Sequence, residues 1–182
     1  IIYLFDPFNS PEFRRILRDT KDPQLEKPVV DQQDIILAEM RARIQMIRNL
    51  RSGETIHTPV AFVVGKCDVW LHLLNGKSLG DPMRDGKLDI SVIEENSSVV
   101  RALMYQLCPG VVANAEALSS NVIFFAASSF GHTPIKIGPG EYVPDPAKLQ
   151  PSFVEVPLLW ILSHVCPALF VDSKMSEPTA AP

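Results

Sequence analysis

The 182-residue chain lacks the excess of positive charge that a nucleic-acid-binding surface needs. It carries 17 lysines and arginines against 21 aspartates and glutamates, which gives a formal net charge of -4. Neutralisation of phosphates by basic side chains supplies most of the affinity of proteins for DNA and RNA. The composition therefore excludes nucleic acid from the expected partners.

Long unbroken apolar segments are also lacking. The longest apolar run, residues 154–171, is interrupted by Glu155, Pro157, His164 and Pro167. Because a membrane-spanning helix needs about 20 predominantly apolar residues, we expect no membrane span. With 46% hydrophobic and 21% charged residues, the chain has the composition of a soluble globular protein. Its length predicts one domain with a sizeable core.

Cysteines at metal-binding or disulfide spacing are absent. The chain has three cysteines, Cys67, Cys108 and Cys166, which stand far apart in the sequence. The four histidines are scattered, with no cysteine or carboxylate at ligand spacing, so no metal site is expected. We interpret the cysteines as small core residues of a protein in the reducing cytoplasm.

A phosphate-binding loop of the form G-x-x-x-x-G-K-[ST] is missing as well. The glycine and lysine at 65–66 are followed by Cys67, and Val60 stands where the first glycine belongs. At 76–78 the tripeptide Gly-Lys-Ser is correct, but Leu71 replaces the first glycine. Neither segment is predicted to hold a triphosphate.

The chain does contain an alternation of apolar strands and amphipathic helices. Strands are predicted at 1–5, 60–64 and 121–127, and helices at 11–18, from Asp31 to a stop at Gly53, at 89–107, 111–118 and 154–165. Residues 20–28, 70–88 and 130–152 are predicted to be loops. Right-handed crossovers would place the three strands side by side and parallel, with ligands beyond their carboxyl ends. The predicted fold is α/β with three layers, over residues 1–165, followed by a tail or linker at 166–182.

The second predicted helix has an apolar stripe with helical spacing. The stripe consists of Ile36, Met40, Ile44 and Ile47, widened by Leu37 and Leu50. Apolar residues at spacings of three and four form one face of a helix, so this stripe is predicted to face the core.

The segment after the second strand could read a nucleotide base. In an extended chain, Lys66 and Asp68 are two apart and project to the same side. A carboxylate there can accept hydrogen bonds from N1–H and the N2 amino group of guanine, whereas adenine would leave the carboxylate unpaired. The lysine stem can lie along the base. An ordinary solvated turn is the alternative for both residues.

Two short motifs carry a family resemblance. "VVGKCD" and, one strand later, "IFFAASS" resemble the [N/T]-K-x-D and [S/T/C]-A-[K/x] motifs of Ras-like, translation-factor-related (TRAFAC) P-loop GTPases. The opening "IIYLFDPFNSPEF" resembles the strand and helix that follow the family's Mg²⁺-associated D-x-x-G motif. The closing "VEVPLLWIL" is similar to the bacterial double-GTPase-like branch. The resemblance covers roughly residues 1–165 and implies an incomplete GTPase-like (P-loop NTPase) fold that lacks the N-terminal strands and the P-loop.

The resemblance also implies residue roles. Asp68 would hold guanine N1 and N2, and Lys66 would lie along the ring, with Cys67 between them in the same nucleotide-binding loop. Ala127 would offer its backbone N–H to guanine O6, with Ser128 in the position often held by lysine.

Two residues depart from the family pattern. Gly65 replaces the Asn or Thr that ties the loop to the phosphate loop, and Ala126 replaces a hydroxyl residue that braces the carboxylate, here Asp68.

The implied function is the guanine-base-binding half of a GTP-binding, switch-type protein with a protein partner. Its cofactor would be GTP or GDP, with Mg²⁺ held only through the missing half. The chain alone is not expected to hydrolyse GTP, because positioning and metal-assisted charge stabilisation are nearly the whole of that catalysis.

Two other functions remain open from the sequence. One is a degenerate GTPase-like interaction or scaffold domain that binds no nucleotide, which Gly65 and Ala126 favour. The other is an α/β enzyme using the loop from Ser128 to His132, although no G-x-S-x-G elbow surrounds that serine. Asp6, which precedes a proline, is interpreted as a turn former. Trp70 and Trp160 are interpreted as packing residues.

Overall fold

A computed structural model describes residues 1–20, 22–29, 32–139 and 141–170. The strands in this part of the chain are β1 (Ile2–Phe5), β2 (Val60–Val64), β3 (Met83–Arg84), β4 (Lys87–Leu88), β5 (Val122–Ala126), β6 (Ile135–Gly138) and β7 (Glu141–Val143). The helices are α1 (Pro11–Leu17), α2 (Gln33–Arg48), α3 (Cys67–Trp70), α4 (Ile90–Leu107), α5 (Pro109–Leu118) and α6 (Val156–Val165).

The central sheet is parallel and has the order β1-β2-β5. In its register Phe5 pairs with Val64, and Val64 pairs with Ala126, so the carboxyl ends of all three strands meet at one edge. The prediction of three adjacent parallel strands is confirmed. Within the described residues β1 pairs with β2 alone and lies at the side of the sheet.

Helices cover both faces of this sheet. On one face, the rings of Phe5 and Phe124 flank Phe62 at centroid distances of 5.9 and 5.1 Å, and Leu37 of α2 is fully buried in the same cluster. On the other face, Phe125 contacts Trp160 of α6 at 5.6 Å. The molecule is therefore a mixed α/β protein whose three-stranded parallel sheet is flanked by helices. Trp160 is a packing residue, as predicted.

Helix α2 is rotated relative to the prediction. Leu37 is fully buried, and Met40 and Ile44 are packed against the core, but Ile36 and Ile47 of the predicted stripe are 47% and 73% exposed. The buried face of α2 instead begins with Gln33. Because Gln33 is polar, a pattern of apolar residues does not include it.

The C-terminal end of α2 also differs from the prediction. The helix ends at Arg48 and is capped by Asn49, whose φ of 50° is left-handed, so the stop does not lie at Gly53. Asparagine is the residue other than glycine that most readily adopts this C-terminal conformation. The predicted start, Asp31, lies outside the described residues.

The three predicted loops contain short regular elements. Residues 18–20 and 23–26 form 3₁₀ turns, and β6 and β7 pair as an antiparallel hairpin. The β3–β4 hairpin turns at Asp85 and Gly86, with φ of 53° and 72°, as an Asp-Gly hairpin turn requires. Of the predicted tail, residues 167–169 form a 3₁₀ turn, and residues 171–182 lie outside the described part. No helix that the structure describes is both long and apolar enough to cross a membrane.

Candidate functional site

Two loops that follow the central strands are hydrogen-bonded to each other at one edge of the sheet. The N–H of Cys67 donates to the Ala127 carbonyl at 3.0 Å, and the N–H of Ala127 donates to the Val64 carbonyl at 3.1 Å. On the other side of β2, the N–H of Gly65 donates to the Phe5 carbonyl at 2.9 Å. The backbone ladder of the sheet thus continues past the strand ends and fixes these loops relative to each other.

Lys66 has a left-handed backbone and an ammonium that is paired with Asp6. Its φ is 53°, and it stands just before α3. The Nζ atom lies 3.0 Å from both Oδ1 and Oδ2 of Asp6 and 4.1 Å from the centroid of the Phe8 ring. Opposite charge and the face of an aromatic ring both favour a cation at this point.

The extended-chain argument for Lys66 and Asp68 does not apply to this backbone. Side chains two apart share a side only in an extended chain, and here the left-handed Lys66 is followed directly by helix α3. Asp68 lies in the first turn of α3 and is half-buried. No hydrogen bond or ion pair from a residue that the structure describes reaches its carboxylate.

Asp6 has a larger role than that of a turn former. Its Oδ1 accepts the N–H of Phe8 at 2.9 Å, which confirms the turn, but the carboxylate also pairs with Lys66. Sequence reasoning missed this pair because 60 residues separate its members. The available signal was their shared position, since each residue follows the carboxyl end of a neighbouring parallel strand.

Gln33 fixes the backbone of Asp6 by a reciprocal amide contact. The N–H of Asp6 donates to Oε1 of Gln33 at 2.7 Å, and Nε2 of Gln33 donates to the Asp6 carbonyl at 2.7 Å. The Tyr3 hydroxyl donates to the backbone carbonyl of Gln33 at 2.8 Å. The side-chain amide of Gln33 therefore satisfies the backbone N–H and carbonyl of Asp6, as a neighbouring strand would.

Two buried side chains, those of Cys67 and Trp70, lie beneath the surface at the loop after β2 and stabilise it. Trp70 is fully buried, and its Nε1–H donates to the Gly65 carbonyl at 2.8 Å, so it positions the loop as well as packing. Burial, with a further contribution from the negative charge of Asp68, raises the pKa of the Cys67 thiol to about 12. Cys67 is therefore a neutral core residue at physiological pH, in agreement with its interpretation as one.

The loop after β5 is tied to a more distant segment. Ser128 exchanges backbone hydrogen bonds of 3.0 and 2.8 Å with Ser152, and its Oγ accepts the N–H of Gly131 at 2.9 Å. The ring Nδ1–H of His132 donates to the Thr133 carbonyl at 2.9 Å. Ser128 and His132 therefore do not form the hydrogen bond that a serine nucleophile and its base would share.

A cavity of about 410 Å³ opens beside these loops, between β1 and α6. Its wall is mainly apolar, and its polar side chains are those of Asp6, Lys66 and Ser129. The residues that line it include Ile2, Leu4, Gly65, Lys66, Ala127 and Leu158. The structure thus brings Gly65, Lys66 and Ala127 around one cavity, whereas Cys67, Asp68 and Ser128 do not line it.

In the described ranges, no cluster of three histidine, cysteine or carboxylate side chains is placed to hold a metal ion. Comparisons of the chain with models of protein families, with curated proteins and with solved structures find no match.

Proposed function

We propose that the loops after β2 and β5 form the guanine-base-binding half of a GTP-binding, switch-type protein. One observation carries the proposal: the Cys67 to Ala127 hydrogen bond of 3.0 Å joins the loop of Lys66 and Asp68 to the loop of Ala127 and Ser128. Residues of the two short motifs, which are far apart in the sequence, are thus direct neighbours. The carboxylate of Asp68, which no described residue engages, is the group that would recognise the base.

The recognition chemistry follows from the donors of guanine. The carboxylate of Asp68 accepts from N1–H and from the N2 amino group, and charge-assisted bonds of this kind are stronger than neutral ones. Adenine has no such donor pair and would leave the carboxylate unpaired. Lys66 keeps its ammonium on Asp6, at 3.0 Å, while its aliphatic stem lies along the base.

The contact to guanine O6 requires a rearrangement. The N–H of Ala127 donates to the Val64 carbonyl, and the N–H of Ser128 donates to the Ser152 carbonyl. For either amide to reach O6, residues 127–129 have to shift when the nucleotide binds. In this proposal Gly65 and Cys67 contribute the backbone of the binding loop.

The proposal assigns no hydrolytic step to these residues. The sequence contains no G-x-x-x-x-G-K-[ST] segment, so contacts to the phosphates and Mg²⁺ would come from another polypeptide segment. The nucleotide is GTP or GDP, and a protein partner would respond to which of them is bound.

Titration with fluorescent GTP and ATP analogues tests the proposal. We expect saturable binding of the GTP analogue and weaker binding of the ATP analogue. Asp68→Asn should weaken GTP binding about 10- to 100-fold, because a charged hydrogen bond contributes about 1.5–3 kcal/mol. Asp19→Asn, at an exposed aspartate outside the site, is the matched control. Equal binding of both nucleotides, or binding that Asp68→Asn leaves unchanged, would contradict the proposal.

A second candidate is an interaction domain that binds no nucleotide. Two contacts favour it: Asp6 engages the ammonium of Lys66, and the Val64 carbonyl engages the N–H of Ala127. The ammonium of Lys66 and the N–H of Ala127 thus already have partners within the protein and need no ligand. If neither nucleotide binds at any attainable concentration, this candidate replaces the first.

A further inference from the structure

The outer face of α2 exposes apolar side chains at both of its ends. Near the N-terminus Ile35 and Ile36 are 48% and 47% exposed, and near the C-terminus Met46 and Ile47 are 72% and 73% exposed. Single exposed apolar residues are common on protein surfaces, but two pairs on one helix face form a patch that typically marks a contact site.

Two opposite charges lie between these apolar pairs. Glu39 and Arg43 are one helical turn apart, and their side chains are 64% and 76% exposed, with 3.8 Å between Oε2 and Nη2. An exposed pair of this kind contributes little to stability, so both groups are free to pair elsewhere. We call the six residues the α2 outer face: Ile35, Ile36, Glu39, Arg43, Met46 and Ile47.

The α2 outer face has a two-fold pattern. Residue 41 is the midpoint of the pattern. Ile35 and Ile36 precede it by the same numbers of residues by which Ile47 and Met46 follow it. Glu39 and Arg43 are also equally far from it in the sequence, and their charges are opposite. With a rotation of about 100° per residue, Ile35 and Met46 fall on one side of the stripe and Ile36 and Ile47 on the other. When a second copy of the helix runs in the opposite direction, its apolar side chains therefore face the apolar side chains of the first copy, and each charged side chain faces one of opposite charge.

We propose that the α2 outer face binds the same face of a second copy of this chain, with the two helices antiparallel. Ile35 contacts the partner's Met46, and Ile36 contacts the partner's Ile47. Glu39 pairs with the partner's Arg43, and Arg43 pairs with the partner's Glu39. In a two-fold interface of this kind every contact occurs twice. Both copies use the same face, so assembly stops at the dimer.

Charge selects this arrangement over others. Two parallel helices would place Glu39 against glutamate and Arg43 against arginine, and like charges at an interface are costly. The mixed charge of the stripe also gives no preference for an anionic lipid surface, which attracts clusters of lysine and arginine. A second copy of the chain supplies apolar side chains and opposite charges that match the α2 outer face.

The expected dimer is weak. Helix α2 has 16 residues and is about 24 Å long, so one helix pair buries less area than a standard protein interface. A dissociation constant on the order of micromolar is expected for an interface of this size. The proposal rests on α2 alone and is independent of nucleotide binding.

Sedimentation equilibrium of the whole protein, at about 1–500 μM, tests the proposal, a range chosen to bracket a micromolar constant. Wild type should be in monomer–dimer equilibrium. Glu39→Arg makes the central charges all positive and Arg43→Glu makes them all negative, so each variant should dimerise at least about tenfold more weakly. An equimolar mixture of the two variants should form a heterodimer, because each supplies the charge that the other lacks.

Two further variants complete the design. The double variant Glu39→Arg/Arg43→Glu restores complementarity and should dimerise as wild type does. Lys77→Glu changes the net charge as Arg43→Glu does, at an exposed position outside α2, and should have no effect. A monomeric wild type over the whole range, a dimer that survives both reversals, or a mixture without heterodimer would overturn the proposal. Far-UV circular dichroism establishes that each variant is folded.

Discussion

The ammonium of Lys66 lies 3.0 Å from both carboxylate oxygens of Asp6 and so joins the end of β1 to the turn after β2. The side chains are 32% and 36% exposed, and both residues line the cavity between β1 and α6. The ion pair therefore links the loop that carries Asp68 to the end of β1.

The Asp6 and Lys66 pair should show coupling in a double-mutant cycle. Asp6→Asn keeps an oxygen for the N–H of Phe8, and Lys66→Met keeps the length of the stem. Because the pair is partly exposed, we expect a coupling free energy of about 0.5–1 kcal/mol, measured by urea unfolding of the four proteins. Strictly additive effects of the two substitutions would mean that the ion pair does not stabilise the fold.

Gln33→Leu should destabilise the fold. Gln33 is only 8% exposed, and its amide satisfies both the N–H and the carbonyl of Asp6. Leucine would leave these backbone groups without partners, at a cost of about 1–3 kcal/mol in the free energy of unfolding. Gln32→Leu is the control, since Gln32 is exposed and its side chain forms no capping bond. Equal stability of both variants would refute the assigned role.

Two glycines should respond differently to alanine. A Cβ at Gly131 would lie 2.0 Å from the Gln150 carbonyl oxygen, and φ is +70°, so Gly131→Ala should cost at least about 2 kcal/mol. A Cβ at Gly65 would meet the Phe5 carbonyl oxygen at 3.4 Å, an ordinary contact, and Gly65→Ala should change stability by less than about 0.5 kcal/mol. Thermal unfolding of both variants measures the difference, and the reverse order would contradict the described loops.

Alkaline pH should destabilise the protein through the buried thiol of Cys67 and the half-buried hydroxyl of Tyr3. Burial raises the pKa of Tyr3 and of Cys67 to about 12, above their ordinary values of 10.0 and 9.0. Above pH 9 the unfolded chain therefore loses protons that the folded chain keeps. The free energy of unfolding falls as pH rises toward 12, by up to about 1.4 kcal/mol per pH unit for Cys67 and by less for the half-exposed Tyr3.

Urea unfolding over this pH range measures the slope. Tyr3→Phe removes one of the two groups, so the decline between pH 10 and pH 12 should be shallower in this variant. An identical pH dependence of wild type and Tyr3→Phe would show that Tyr3 does not contribute.

The strands of the central sheet were predictable because they are short, continuous apolar runs. All five residues of β2 are buried, and such a run is typical of a strand covered on both faces. The start of α1 was also predictable, since the Ser10 side chain caps the helix and a proline follows it.

The rotation of α2 and the hairpins were not predictable in the same way. The buried face of α2 starts with Gln33, which the sequence pattern counts as polar, and its burial depends on Asp6, a residue 27 positions earlier. The β3–β4 strands have only two residues each, too few for a periodic pattern. The Asp85-Gly86 turn was the signal that could have found this hairpin.

The candidate site was predictable in its location and not in its side-chain geometry. Parallel strands bring the loops after β2 and β5 to one edge, as the sequence indicates. The left-handed Lys66 and the immediate start of α3 depend on contacts with Asp6 and Ala127, which are remote in the sequence. These contacts decide where the lysine and the aspartate lie.

The most direct test of the base-binding account is a titration of ¹⁵N-labelled protein with GDP, followed by two-dimensional ¹H–¹⁵N spectra. If these loops bind the base, the amide shifts concentrate at residues 65–68 and 127–129, and ADP produces much smaller shifts. No shifts with GDP, or shifts confined to other parts of the protein, would contradict the account.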